Sequence, residues 1–207
     1  MIGEHDVKSD PDVNRPRAIR RSPAKIIKHE QYNIGGAVEN DIALIRLDRA
    51  IGLDTREGSQ LVVPVCLPWN KDGDVPPETK ATVSGWGRQY NNDNYNKQQL
   101  KTQSVTTAVL QKLDIKVLNA GDCQSKWGSK SFSRLNMDKQ ICAGDSVGQD
   151  SCQGDSGGPL VWKPDYFSWT QVGVVSFGPS GACGSGVPGI YTRVTAYIDW
   201  IKQNMEP

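Results

Sequence analysis

The chain has 207 residues, 37% hydrophobic and 23% charged, with 24 Lys and Arg against 23 Asp and Glu for a net charge of +1. That describes a globular chain with one or two core units, and the balanced charge indicates neither a nucleic-acid surface nor a polyanionic tail. No run approaches the eighteen or so apolar residues of a membrane span, and Met1-Ile-Gly-Glu lacks the basic start and apolar core of a signal peptide.

In chain order, the polar, turn-rich Asn70–Pro77 reads as a linker, with a boundary near residue 72 between an amino-terminal unit (1–72) and a carboxy-terminal one (73–207). Strand patterns follow at Lys80–Trp86, Leu113–Leu118, Pro159–Trp162, Gln171–Phe177 and Ile190–Val194, separated by Gly, Pro, Asn and Asp. Gln89–Gln99, rich in Asn, Gln and Tyr, reads as one exposed loop. Val194, Tyr197, Ile198 and Ile201 recur at helical spacing, with Thr195 near the start as a cap, and predict a terminal amphipathic helix packed on the barrel. The expected class is all-β, a barrel or sandwich closed by that helix.

Chemistry concentrates in Asp150-Ser-Cys-Gln-Gly-Asp-Ser-Gly-Gly-Pro159. One serine, Ser156, stands in a glycine-rich turn where a substrate carbonyl can approach the main chain closely. The N–H groups of Gly154 and Ser156 are the candidate oxyanion hole, in which a single donor is typically worth about 3–4 kcal/mol. Asp41, entering the apolar Ile42-Ala-Leu-Ile45, needs hydrogen-bond partners to remain ionised and is the candidate catalytic acid.

The decapeptide resembles the nucleophile segment of chymotrypsin/trypsin-like serine endopeptidases. Asn40-Asp-Ile-Ala-Leu-Ile-Arg-Leu47 resembles their aspartate segment and Val83-Ser-Gly-Trp-Gly87 the start of their second barrel. Val175-Ser-Phe-Gly178 and Pro188-Gly-Ile-Tyr-Thr-Arg-Val194 resemble their specificity-pocket walls. The resemblance implies two six-stranded antiparallel β-barrels, the first incomplete. It makes Ser156 the nucleophile and Asp41 the acid that orients a histidine. Asp150 would form the base of a pocket selecting Arg or Lys, with Gly178 and Gly189 leaving room for the long side chain. Ser176 and Gly178 would pair an extended substrate, and Asp155 would hold the terminal ammonium that activation cleavage creates.

A serine hydroxyl needs a base. Of the two histidines, His5 lies in a segment resembling a surface loop and His29 in one resembling the strand before the aspartate; neither has the Ala-Ala-His-Cys context of the family's base. Truncation ahead of residue 1 is therefore expected, with this polypeptide inactive alone, since loss of the base in a related triad costs about 10⁶ in kcat.

The five cysteines are an odd number, which suits a secreted protein with a lost or intermolecular partner. The resemblance pairs Cys123 with Cys142 and Cys152 with Cys183. It leaves Cys66, in Val65-Cys-Leu-Pro68, for a pro-region. Glu4, Asp6, Asp10 and Asp12 fall in a loop where some relatives hold calcium, and oxygen-rich loops suit that cation; solvated acids without a cofactor are the expectation here. With Val174-Val-Ser-Phe-Gly-Pro179, Cys183-Gly and Cys66, the chain most resembles arthropod clip-domain proteases. It is expected to be a secreted, zymogen-derived endopeptidase acting on protein substrates after Arg or Lys, or alternatively a non-catalytic homologue that binds and regulates cascade partners.

Overall fold

The computed structural model describes residues 2–8, 19–34, 36, 38–52, 62–70, 73–89, 105–128, 131, 134–144, 146–164, 168–179 and 183–205. Ten strands are defined among them: β1 (Pro23–Lys28), β2 (Ala43–Leu47), β3 (Lys80–Gly85), β4 (Arg88–Gln89), β5 (Val105–Thr106), β6 (Gln111–Lys116), β7 (Gln140–Ala143), β8 (Pro159–Trp162), β9 (Thr170–Phe177) and β10 (Gly189–Arg193). Helix α1 spans Ala120–Trp127. A 3₁₀ turn at Val194–Tyr197 leads into α2 (Ile198–Met205).

Six strands form one antiparallel sheet in the order β6-β3-β8-β9-β10-β7. The sheet curls until its outer strands meet. Val117 bridges Ala143, Leu118 N–H donates to Cys142 at 2.8 Å, and Gly144 N–H donates to Lys116 at 2.8 Å. Inside lie Ala81, Val83, Ile115, Leu160, Val172 and Tyr191, all buried. A Cβ at Gly173 would stand 3.1 Å from Leu160 and 3.2 Å from Tyr191, so the close approach of β8, β9 and β10 uses its missing side chain.

Val75 is buried in this core, and the Asp74 carboxylate accepts from the Arg193 guanidinium, so these two residues pack against the sheet. The sheet is joined on one side by a β1–β2 ribbon. Ile27, Ile42 and Leu44 pack against Val194, Tyr197, Ile198, Trp200 and Ile201, so the terminal helix rests on the ribbon.

Two expectations change. Helix α1 was not predicted, because it buries only Cys123 and so lacks an apolar stripe. Its signal is in its ends: the Asn119 side chain accepts the Asp122 N–H, and Gly128, at φ 72°, closes the last turn on Gln124. Thr195 is no cap. It lies buried inside the 3₁₀ turn, whose capping position is Arg193 and makes no side-chain cap bond.

Candidate active site

The nucleophile loop is held by its own main chain and by β9. Asp155 N–H donates to Cys152 at 2.9 Å and Gly158 N–H to Asp155 at 2.8 Å; Gly157 N–H then reaches Val175, whose N–H returns to Gly158, both at 2.9 Å. Gly154 sits at φ 101°, in the left-handed region that glycine enters without strain. Among the described residues nothing accepts from the N–H of Gly154 or Ser156, and the Ser156 hydroxyl has no partner.

Asp41 is fixed from two directions. The Ser176 hydroxyl donates to its carboxylate at 2.6 Å, and the Thr192 hydroxyl donates to its main-chain carbonyl at 2.7 Å. Ser176 stands at a β-bulge, since Ile190 pairs with Phe177 and Tyr191 with Val175, leaving Ser176 as the extra residue of β9. A bulge re-aims the side chain it carries. The hydroxyl thus turns to Asp41, while neighbouring Val175 holds the Ser156 loop; consecutive residues of β9 position both groups.

The residue before Asp41 anchors it. Asn40 is buried at φ 57°; its amide donates to the Gln31 carbonyl at 2.8 Å, and its oxygen accepts from the Tyr197 hydroxyl at 3.1 Å. Burial pushes the Tyr197 phenol up to about 12, so it remains a donor.

Asp150 lies in a recess. One oxygen receives the Gly184 N–H at a long 3.4 Å, and the other is buried without a partner in the structure. Burial pushes its carboxyl up to about 6, against the lowering effect of the Gly184 and Ser151 main-chain N–H groups. A Cβ at Gly189 would stand 3.1 Å from the orphan oxygen and 3.3 Å from the Tyr191 ring, whereas one at Gly178 would meet open space. Beside the carboxylate, the Ser151 and Tyr191 hydroxyls lie 3.0 Å apart, and burial raises the Tyr191 phenol.

Asp155 and Asp150 both line one cavity of about 370 Å³, with Gly85, Gly87, Lys112 and Gly184 among its other walls. The two Asp155 oxygens accept from Gly87 N–H at 2.8 Å and Cys152 N–H at 2.9 Å. A Cβ at Gly85 or Gly87 would collide with this carboxylate at 2.0 to 2.4 Å. That steric demand explains both glycines of Val83-Ser-Gly-Trp-Gly87.

The disulfides Cys152–Cys183 and Cys123–Cys142 join the nucleophile segment to the recess rim and α1 to β7. Cys66 is exposed and free, its main chain paired with Trp169 and Gln171. The His29 ring packs on Tyr197 and Trp200 at 5.4 and 5.1 Å, and its Nδ1 accepts from Gln31. His5 is exposed, with its carbonyl accepting from Leu110 and from the Trp86 indole. Among the described residues neither imidazole touches Asp41 or Ser156.

A Glu4 oxygen accepts from the N–H groups of His5 and Asp6, and Asp6 accepts from Lys8 N–H; Asp10 and Asp12 lie outside the described residues. No cluster of three or more His, Cys, Asp or Glu that could hold a metal occurs among the described residues, and no helix there is long and apolar enough to cross a membrane.

Reading the sequence missed four features of this site: the Ser176–Asp41 bond, Asn40 with Tyr197, Ser151 in the recess and the Gly184 donor. Ser176 carried a signal as the lone polar side chain within Val174-Val-Ser-Phe177. Asn40 carried one as its Asp41 neighbour.

The Trypsin family profile matches residues 1–201. The chain is 34% identical to CLIP domain-containing serine protease B10 of Anopheles gambiae over 99% of this chain and 52% of that protein. It is 35% identical to the Spaetzle-processing enzyme of Drosophila melanogaster over 100% of this chain and 50% of that protein. Identity to CLIP domain-containing serine protease HP8 of Bombyx mori is 35%, over 88% and 45%. The chain spans about half the length of these relatives. With that profile running through both disulfides and the Asp150 recess, the chain belongs to the trypsin-like serine endopeptidase family.

Proposed function

We propose that this chain carries the nucleophile, the acid and the specificity recess of an endopeptidase that cleaves proteins after Arg or Lys, with the histidine base supplied by a segment outside this sequence. The buried Asp150 oxygen without a partner carries the reading: a guanidinium or ammonium entering beside Gly189 would satisfy it. Ser156 would attack the carbonyl, its proton passing to the histidine oriented by Asp41. The carbonyl oxygen would collect charge between the N–H groups of Gly154 and Ser156, and collapse would release the amine and leave an acyl-enzyme for water to hydrolyse. Ser176 and Gly178 would line the extended substrate, and Asp155 would receive the ammonium of a cleaved amino terminus in the cavity beside it.

Two disulfides suit an oxidising, extracellular setting, and Cys66 is accessible to a pro-region thiol. A relative named for processing Spaetzle supports a protein substrate in a cascade. The test is to express the chain with a histidine-bearing amino-terminal segment of a clip-domain relative, activate it, and compare chromogenic peptides ending in Arg, Lys and Glu. Hydrolysis of the first two, abolished by Ser156→Ala, is expected; indifference to the terminal residue would overturn the specificity.

One observation favours a second reading. Neither His5 nor His29 touches Asp41 or Ser156 among the described residues, as suits a non-catalytic homologue that captures cascade partners through the same recess. Failure of the assembled protein to hydrolyse any peptide, with binding retained, would select it.

A further inference from the structure

A charge of +1 for the whole chain hides an uneven distribution. Residues 15–28 hold Arg15, Arg17, Arg20, Arg21, Lys25 and Lys28 with no acid, and Ala43–Ala50 adds Arg46 and Arg49 against Asp48. Arg15 and Arg17 lie outside the described residues; of the others, the β1–β2 ribbon carries Lys25, Lys28 and Arg46, and Arg20, Arg21 and Arg49 adjoin its strands in the chain. Lys25 lies directly opposite Arg46 in the register, so their side chains leave the same face. The Arg21 guanidinium donates to the Arg20 and Ala50 carbonyls at 2.8 and 3.1 Å, which places Arg20 and Arg21 beside Arg49 at the same end. Lys28 stands at the other end, opposite Ala43.

Among the described residues none of Arg20, Arg21, Lys25, Lys28, Arg46 or Arg49 pairs with a carboxylate. Asp48, the acid between Arg46 and Arg49, accepts the Ser22 N–H. All six cations except Arg21 are exposed. Charged side chains of this kind stay in water even if the apolar residues of the ribbon, Ile26 and Ile45, are covered. Unpaired cations in such density repel one another and raise the local concentration of anions.

We propose that this basic ribbon docks an acidic, extended segment of the polypeptide whose Arg or Lys enters the Asp150 recess. The proposal rests on the proteolytic reading. Position decides the partner: β2 starts two residues after Asp41, so Arg46 lies roughly 16 Å from Asp41 along an extended strand, within reach of a protein already held at the site. Four of the six cations are Arg, whose planar forks pair with carboxylates through two parallel hydrogen bonds.

The test measures binding of a fluorescent Glu-rich peptide to the chain, to its Lys25→Glu/Arg46→Glu variant and to an Arg20→Glu/Arg49→Glu variant. A Gln-rich peptide and a sulfated oligosaccharide serve as comparisons, and benzamidine titration follows the Asp150 recess in each protein. Expected are selective binding of the Glu-rich peptide, weakening with salt, and a loss of roughly fivefold or more in either variant with benzamidine affinity unchanged. Peptide binding that ignores both charge reversals overturns the proposal. So does binding of the oligosaccharide alone, which would make the ribbon a polysaccharide site. Benzamidine binding without peptide binding removes only the docking surface; peptide binding without any Asp150-dependent benzamidine binding removes the proteolytic reading and the substrate assignment with it.

Discussion

The Ser176 hydroxyl donates to the Asp41 carboxylate at 2.6 Å across 135 positions of sequence, joining the ribbon to the bulge in β9. A hydrogen bond to a charged group is worth about 1.5–3 kcal/mol. Ser176→Ala in the histidine-completed enzyme should therefore lower kcat at least roughly tenfold with little change in KM, because Asp41 acts on the base and not on ground-state binding. Steady-state kinetics on an Arg substrate would show this, and a change in KM alone would assign Ser176 to substrate contact.

Asp150 titrates against its burial. Its carboxyl is raised from 3.8 to about 6, so the folded state prefers the protonated form. The resulting stabilisation is fully present below pH 3.8 and is lost as pH rises through about 6; ionised Asp150 then costs stability, by about 3 kcal/mol. Asp150→Asn should accordingly raise Tm above pH 6 and change it little near pH 4. Benzamidine affinity should move the other way, growing up to roughly tenfold per pH unit below 6 and levelling above it.

Tyr197→Phe deletes the hydroxyl that donates to buried Asn40. An unsatisfied buried acceptor costs about 1–3 kcal/mol. Denaturant unfolding should register that loss, and because Asn40 anchors Asp41, kcat of the completed enzyme should fall as well. An unchanged midpoint would show that Asn40 finds another donor.

Replacing Cys152 and Cys183 together by Ala opens a link spanning 31 residues. A loss of about 2–4 kcal/mol is expected, with benzamidine affinity reduced because Gly184 and Asp150 are no longer held together. The Cys123→Ala/Cys142→Ala variant, which frees α1 from β7, should lose stability yet keep more of that affinity.

The sequence was most legible where a segment is governed by its own pattern. Pro159–Trp162 forms a strand with the expected bounds, Lys80–Gly85 ends one residue earlier than expected and Gly189–Arg193 is shifted by one residue at both ends, because apolar runs between Gly and Pro leave little choice. Helix α1 was hidden for the opposite reason: its position is set by caps and by the Cys123–Cys142 bridge. At the site, Ser156, Asp41, Asp150 and Asp155 stood out as residue types in motifs. The contacts that hold them did not, since the Ser176 hydroxyl reaches Asp41 from a bulge, Gly184 reaches Asp150 from a turn, and Tyr197 reaches Asn40 beside Asp41, all across long stretches of sequence.

The most direct measurement is calorimetric titration of this chain with benzamidine beside its Asp150→Asn variant at pH 7.5. The account predicts one-to-one binding to the parent, abolished in the variant while its fold is retained, because the cation satisfies the orphan oxygen in the recess. Equal binding by both proteins, or none by the folded parent, would contradict an Asp150 recess built for Arg and Lys.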